Sequence, residues 1–141
     1  MNILFVFYSF PGIGGVESVS NSLIDYLGQH YTIYTIAFHG DDTAPKSSRI
    51  TESYRFRFHE QDKENNIRFF NRLTGTLNID LVINQGMYPE LTDIILNNQR
   101  KRDMKIISVL HGMPGYEKRQ FWALDMMKNA SKYKQTERRL L

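Results

Sequence analysis

Residues 1–39 read MNILFVFYSFPGIGGVESVSNSLIDYLGQHYTIYTIAFH, and their patterning decides the fold class. Ile3–Phe10 is a near-continuous apolar run, as expected of a strand covered on both faces. Pro11-Gly12-Ile13-Gly14-Gly15 interrupts it. Val16, Val19, Leu23 and Leu27 then recur at helical spacing up to Gly28. Thr32–Phe38 is again β-branched and aromatic, a second strand. Strand, glycine loop, helix, strand is a βαβ unit, and such units build parallel sheets.

The same alternation continues outward. Gly40–Ser48 is a polar loop carrying Asp41-Asp42 and Pro45. Tyr54, Phe56 and Phe58 alternate with Arg55, Arg57 and His59, which predicts a short strand with one wet face near the sheet edge. Ile67, Phe70, Leu73 or Thr74, and Leu77 mark a second helix, Asp80–Gln85 a fourth strand, and Leu91, Ile94 and Ile95 a third helix. Lys105–Leu110 is a fifth strand, and Phe121, Leu124 and Met127 give the tail from Gln120 to Leu141 helical periodicity. Five strands and four helices in alternating order predict an α/β domain with a mostly parallel, twisted sheet.

Composition bounds the function classes. A chain of 141 residues is one domain by length, and 41% hydrophobic with 23% charged residues is a globular balance. The absence of cysteine excludes disulfide frameworks, thiolate metal sites and cysteine nucleophiles. The longest apolar run falls far short of the roughly 20 residues of a membrane span. It lacks a basic preceding region, and Pro11-Gly12 stands where a signal peptide would have its cleavage site. Charge is uneven: residues 1–99 carry seven basic and eleven acidic side chains, residues 100–141 eleven and four. The basic tail reads first as a solvated helical face, with Lys128, Lys132, Lys134, Arg138 and Arg139 available to anionic headgroups at a membrane surface. No nucleic-acid-binding motif accompanies it, so no nucleic-acid partner is expected.

In an open parallel sheet, ligands bind beyond the carboxyl ends of the strands where strand order reverses. Glycines follow four of the strands: Gly12, Gly14 and Gly15 after the first, Gly40 after the second, Gly86 after the fourth and Gly112 after the fifth. Gly14-Gly15 stands directly before the first helix, where free backbone N–H groups and the helix dipole make an anion site. Gly12 and Gly14 match the start of a dinucleotide fingerprint, but Glu17 occupies its third glycine, and no P-loop Lys-Ser/Thr follows. Glu17 also suits the first helical turn as a favourable charge on the dipole. His111, between the fifth strand and Gly112, is the titratable group best positioned to take a proton or bond a substrate hydroxyl. Asn84 and Gln85 at the end of the fourth strand can bond sugar hydroxyls or cap the strand. His30, His39 and His59 are weaker candidates, and no histidine pair has metal spacing.

These residues resemble a known family. The opening strand, proline-containing loop, Gly14-Gly15-Val16-Glu17 and helix are similar to the start of the family 4, or group 1, retaining glycosyltransferases. DLVINQG (80–86) resembles the family's fourth strand, and KIISVLHGMPGYE (105–117) its fifth strand and following histidine. The resemblance covers residues 1 to about 117. It implies a Rossmann-like three-layer domain, the acceptor-binding N-terminal half of a GT-B architecture. The Gly14 and Gly15 N–H groups would reach the diphosphate of a nucleotide-sugar donor across a cleft. His111 would act catalytically beside the transferred sugar, with Glu17, Asn84, Gln85, Gly86 and Gly112 lining the acceptor side. Many relatives carry histidine where Asn84-Gln85 stand here. The implied activity is hexosyl transfer with retention to a glycan or lipid-linked acceptor, with no metal and no cofactor beyond the nucleotide-sugar substrate. Residues 1–141 would be one acceptor-side domain, inactive alone. The donor-binding domain, with its Glu-x7-Glu region, would be supplied in cis or by a separate subunit. The implied site of action is the cytoplasm or the inner face of the membrane. A stand-alone flavodoxin-like nucleotide-binding module is the alternative.

Overall fold

The computed structural model describes residues 1–86, 88–97 and 104–109. β1 (Asn2–Ser9) forms the middle of the sheet because its residues Ile3–Phe7 are apolar on both faces and all buried. The chain continues through α1 (Gly15–Leu27), β2 (Thr32–His39), β3 (Ile50–Arg55), α2 (Lys63–Thr76), β4 (Leu81–Asn84), α3 (Pro89–Leu96) and β5 (Lys105–Ser108). The sheet is parallel throughout, in the order β3-β2-β1-β4-β5. This is a Rossmann-like α/β fold. The fourth helix and the end of the fifth strand expected from the sequence lie outside the described residues.

Alternation along β1 divides the core in two. Ile3, Phe5 and Phe7 pack with Ile24, Leu23 and Leu27 of α1 on one face. Leu4 and Val6 pack with Phe70 of α2 and with Leu91, Ile94 and Ile95 of α3 on the other. The result is the three-layer arrangement. The start of β1 is tied to the turn before β4: the Asn2 backbone N–H donates to the Asp80 carboxylate at 2.8 Å, and its side-chain amide donates to the Leu77 carbonyl at 2.9 Å. Asn78 makes that turn with a left-handed φ of 52°, a conformation asparagine tolerates after a helix.

β3 is an edge strand, as the one-sided wetting of its sequence suggests, but it lies earlier than the Tyr54-Phe56-Phe58 alternation predicts. Its register is set by β2, which pairs Ile33–Ala37 against Ile50–Arg55 across an irregularity at Ile33/Tyr34. Phe56 then leaves the strand, and its ring turns into the core, stacked 4.2 Å from Phe38. Its apolar character therefore reports burial under α2 rather than a strand face. The acidic loop is also structured. Asp41 accepts from the backbone and hydroxyl of Thr43, which lowers its pKa, and Asp42 pairs with Arg55 at 2.9 Å.

Gly40 is held by close approach. The loop leaving β1 crosses it, Phe10 N–H donating to the His39 carbonyl and Asp41 N–H to the Pro11 carbonyl. A Cβ at Gly40 would collide with the Phe10 carbonyl and the Arg55 guanidinium. Gly40→Ala is expected to destabilise the domain by about 1–3 kcal/mol in denaturant unfolding; a stability equal to wild type would show that the two loops are not packed this way.

Candidate functional site

β1 and β4 are neighbours from which the chain departs in opposite directions across the sheet: β2 and β3 lie on one side, β5 on the other. Strand order reverses here, and the carboxyl ends of β1 and β4 flank the crevice such folds use for ligands. Two segments leave the sheet at this edge: residues 10–15 after β1, and Gln85, Gly86 and Tyr88 after β4.

The first segment is anchored at one end and open at the other. Phe10 is fully buried and stacks 4.2 Å from Phe7, and the Phe10–Pro11 peptide is cis. Ile13 is 93% exposed, and Gly14 and Gly15 are exposed beside it. Gly14 is the N-cap of α1 and supplies no side chain to the first-turn N–H groups; its carbonyl accepts from Ser18 N–H at 3.0 Å. A Cβ at Gly15 would meet no atom within 4 Å, so packing within the chain does not demand glycine there. Glu17 bends back over the loop. A Cβ at Gly14 would lie 2.6 Å from its Oε2, and one at Gly12 would lie 3.6 Å from its Oε1. The carboxylate thus hovers over the helix N-terminus where an anion would approach. Glu17→Gln is expected to tighten binding of inorganic pyrophosphate several-fold in a calorimetric titration; weaker binding would mean that the carboxylate serves the ligand rather than competing with it.

The second segment is more enclosed. Asn84 pairs with Val6, so its side chain shares the α2/α3 face of the sheet. It is 2% exposed, donates to the Ser108 hydroxyl on β5 at 3.4 Å, and its Oδ1 has no hydrogen-bond partner among the described residues. It is a cross-strand amide within the sheet. Gln85 is 5% exposed, and its backbone N–H extends the β1 ladder to the Val6 carbonyl. Gly86 turns the chain with φ 152°, in the region that favours glycine, and a Cβ there would press on the Tyr88 ring at 3.2 Å. Gly14, Gly15, Glu17, Asn84, Gln85 and Gly86 therefore stand at one edge of the sheet, the glycine loop open and the two amides buried. His111 and Gly112 lie outside the described residues.

A second group of side chains at this edge was not visible as a motif. Tyr8, one residue from the end of β1, shares the face of Leu4 and Val6. Its ring stacks on Tyr88 at 4.8 Å and meets the His39 ring edge-on at 5.2 Å. Its hydroxyl bonds Glu60, whose carboxylate also lies 3.4 Å from His39 Nε2. Of this group the sequence offers His39 as a weaker candidate; its pairing with Glu60 spans 21 residues and leaves no motif. The hydrogen bond to Glu60, aided by burial, pushes the Tyr8 phenol up to about 12. The same bond, with His39 adding to it, holds the Glu60 carboxyl below its usual range. Because the folded-state pKa is depressed, this stabilisation is complete above the ordinary carboxylate value of 4.5 and is lost as pH falls through the lower folded value. Tyr8→Phe is expected to cost about 0.5–1 kcal/mol at pH 7 and progressively less toward pH 3, measured by urea unfolding at both; an equal cost at both would exclude the bond to the carboxylate.

Among the described residues no cluster of three metal-ligating side chains occurs, and no helix is long and apolar enough to cross a membrane. Compared with known protein families and with curated proteins, the chain matches no family model and no curated sequence.

Proposed function

We propose that the chain is the acceptor-side domain of a retaining glycosyltransferase, working with a donor-binding domain across the crevice at the ends of β1 and β4. The observation that carries this reading is the uncapped N-terminus of α1 behind Gly14 and Gly15, open at the strand-order reversal. Orphan N–H groups and the positive end of the helix dipole there suit a diphosphate. Glycosyl transfer builds negative charge on the departing nucleoside diphosphate as the glycosidic bond breaks. Fixed donors aimed at that charge lower the barrier without reorganising. In this reading the Gly14 and Gly15 amides supply part of that stabilisation, and the donor-binding domain supplies the rest. His111 takes its role from the family resemblance, as the group beside the transferred sugar and the acceptor hydroxyl. Transfer then needs both domains, with a glycan or a lipid-linked sugar as acceptor. The reading also accounts for Ile13: an exposed apolar side chain at the lip of the crevice is suited to an apposed domain or a bound ligand.

Gly15→Val is the direct test, because space around Gly15 lets the domain fold normally. In the transfer-competent assembly, with the donor-binding domain in cis or in trans, transfer is expected to fall by about 100-fold or more, with the thermal unfolding midpoint unchanged. Turnover at the wild-type rate would overturn the phosphate assignment. His111→Ala is expected to lower turnover by at least about 100-fold in the same assay, and unchanged kinetics would make that histidine structural.

A further inference from the structure

Away from the crevice, a groove of about 520 Å³ runs along the outer side of α2, bordered by the end of β3 and the loop that follows it. Its walls include Arg57, Arg68, Arg72, Tyr54, Phe58 and Phe69. The three arginines are exposed, and none of the ion pairs among the described residues involves them. The Arg57 guanidinium stands 5.7 Å above the Phe69 ring, and Arg68 reaches only the Asn65 amide oxygen at 3.5 Å. Of the nearby carboxylates, Glu52 accepts from the Tyr54 hydroxyl at 2.7 Å, Asp62 caps α2 and accepts from the Asn65 amide at 2.9 Å, and Glu64, one turn before Arg68 on α2, forms no ion pair with it. Three cations that form no ion pair among the described residues thus line a concave, partly aromatic surface on a domain whose first 99 residues are net acidic.

We propose that this groove is a secondary binding site for an anionic glycan, one whose sugar units carry carboxylates. Guanidinium forks match carboxylates in bidentate geometry. Ring faces such as those of Tyr54, Phe58 and Phe69 offer flat apolar surfaces with negative potential, to which the C–H face of a pyranose is attracted. The volume lies in the range of small-molecule sites. From Asn65 to Thr76 the helix runs about 16 Å at 1.5 Å per residue, enough for a short chain rather than one ring. A lipid bilayer fits less well, because interfacial binding wants a projecting apolar face. Here Tyr54 and Phe69 are half-buried in the walls, and Phe58 is 40% exposed. The choice of a glycan as occupant rests on the acceptor reading above; the arginine groove does not. An acceptor polymer anchored here would lie two strands out from β1, where it could be retained between transfers.

The test is a titration of the full chain with trigalacturonic acid, with neutral maltotriose as comparator, followed by NMR and calorimetry. Binding of the acidic trimer is expected at least tenfold tighter than of the neutral one, with shifts confined to residues 54–58 and α2. Arg68→Ala/Arg72→Ala, both solvent-exposed, is expected to lower that affinity at least tenfold with unchanged circular dichroism, and Arg68→Lys/Arg72→Lys to recover part of it. No binding of the acidic trimer, equal binding of both sugars, or co-sedimentation with phosphatidylglycerol vesicles without trimer binding would each overturn the proposal. The titration needs neither donor nor transfer. Its failure would leave the Gly14-Gly15 assignment standing, and a failed transfer assay would leave the groove standing.

Discussion

The burial of β1 on both faces is the constraint on which the rest depends. Five consecutive apolar residues, Ile3–Phe7, send alternate side chains into two separate clusters. A strand with two apolar faces is stable only when covered on both, which requires α1 on one side and α2 with α3 on the other. Parallel neighbours require crossovers, and crossovers supply those helices. β1 therefore dictates the layers, and because it lies between β2 and β4 it also dictates where strand order reverses.

The candidate site follows from that geometry. A parallel sheet brings every strand-to-helix loop to one edge, so the glycine loop after β1 and the Gly86 turn after β4 become neighbours although about 70 residues separate them. The same edge gathers Tyr8, His39, Glu60 and Tyr88. One side of the crevice is thus exposed backbone with the Glu17 carboxylate bent over it; the other is a group of aromatic rings beside the Glu60 carboxylate. An interior amide, Asn84, joins β4 to β5 beneath it.

Much of this was legible in residue order, and the failures are instructive. The alternation of apolar runs with helical spacing located four of the five strands and put the third a few residues late, since period and burial are local properties of a segment. β3 was displaced because Phe56 has the right parity for a strand face and yet is buried by packing on Phe38. Parity reports which side a residue occupies in a strand, not where pairing stops; the partner strand decides that. Asn84 and Gln85 read equally well as ligand contacts or strand caps, and only burial separates those readings. The pairing of Tyr8, His39 and Glu60 left no motif, because the three are assembled from β1, β2 and the loop before α2.

The sequence by itself determined the parallel α/β class, the burial of the first strand on both faces, and the glycine-lined entry to the first helix. Each follows from contacts within one or two turns of chain, where spacing and residue type suffice. Tertiary structure alone decided the strand order, the bend of Glu17 over its own loop, the close approach that makes Gly40 obligatory, and the gathering of Arg57 with Arg68 and Arg72 beside α2. Those depend on which surfaces meet across long sequence separations, and a linear pattern carries no record of distance between segments that touch only after the sheet has closed around β1.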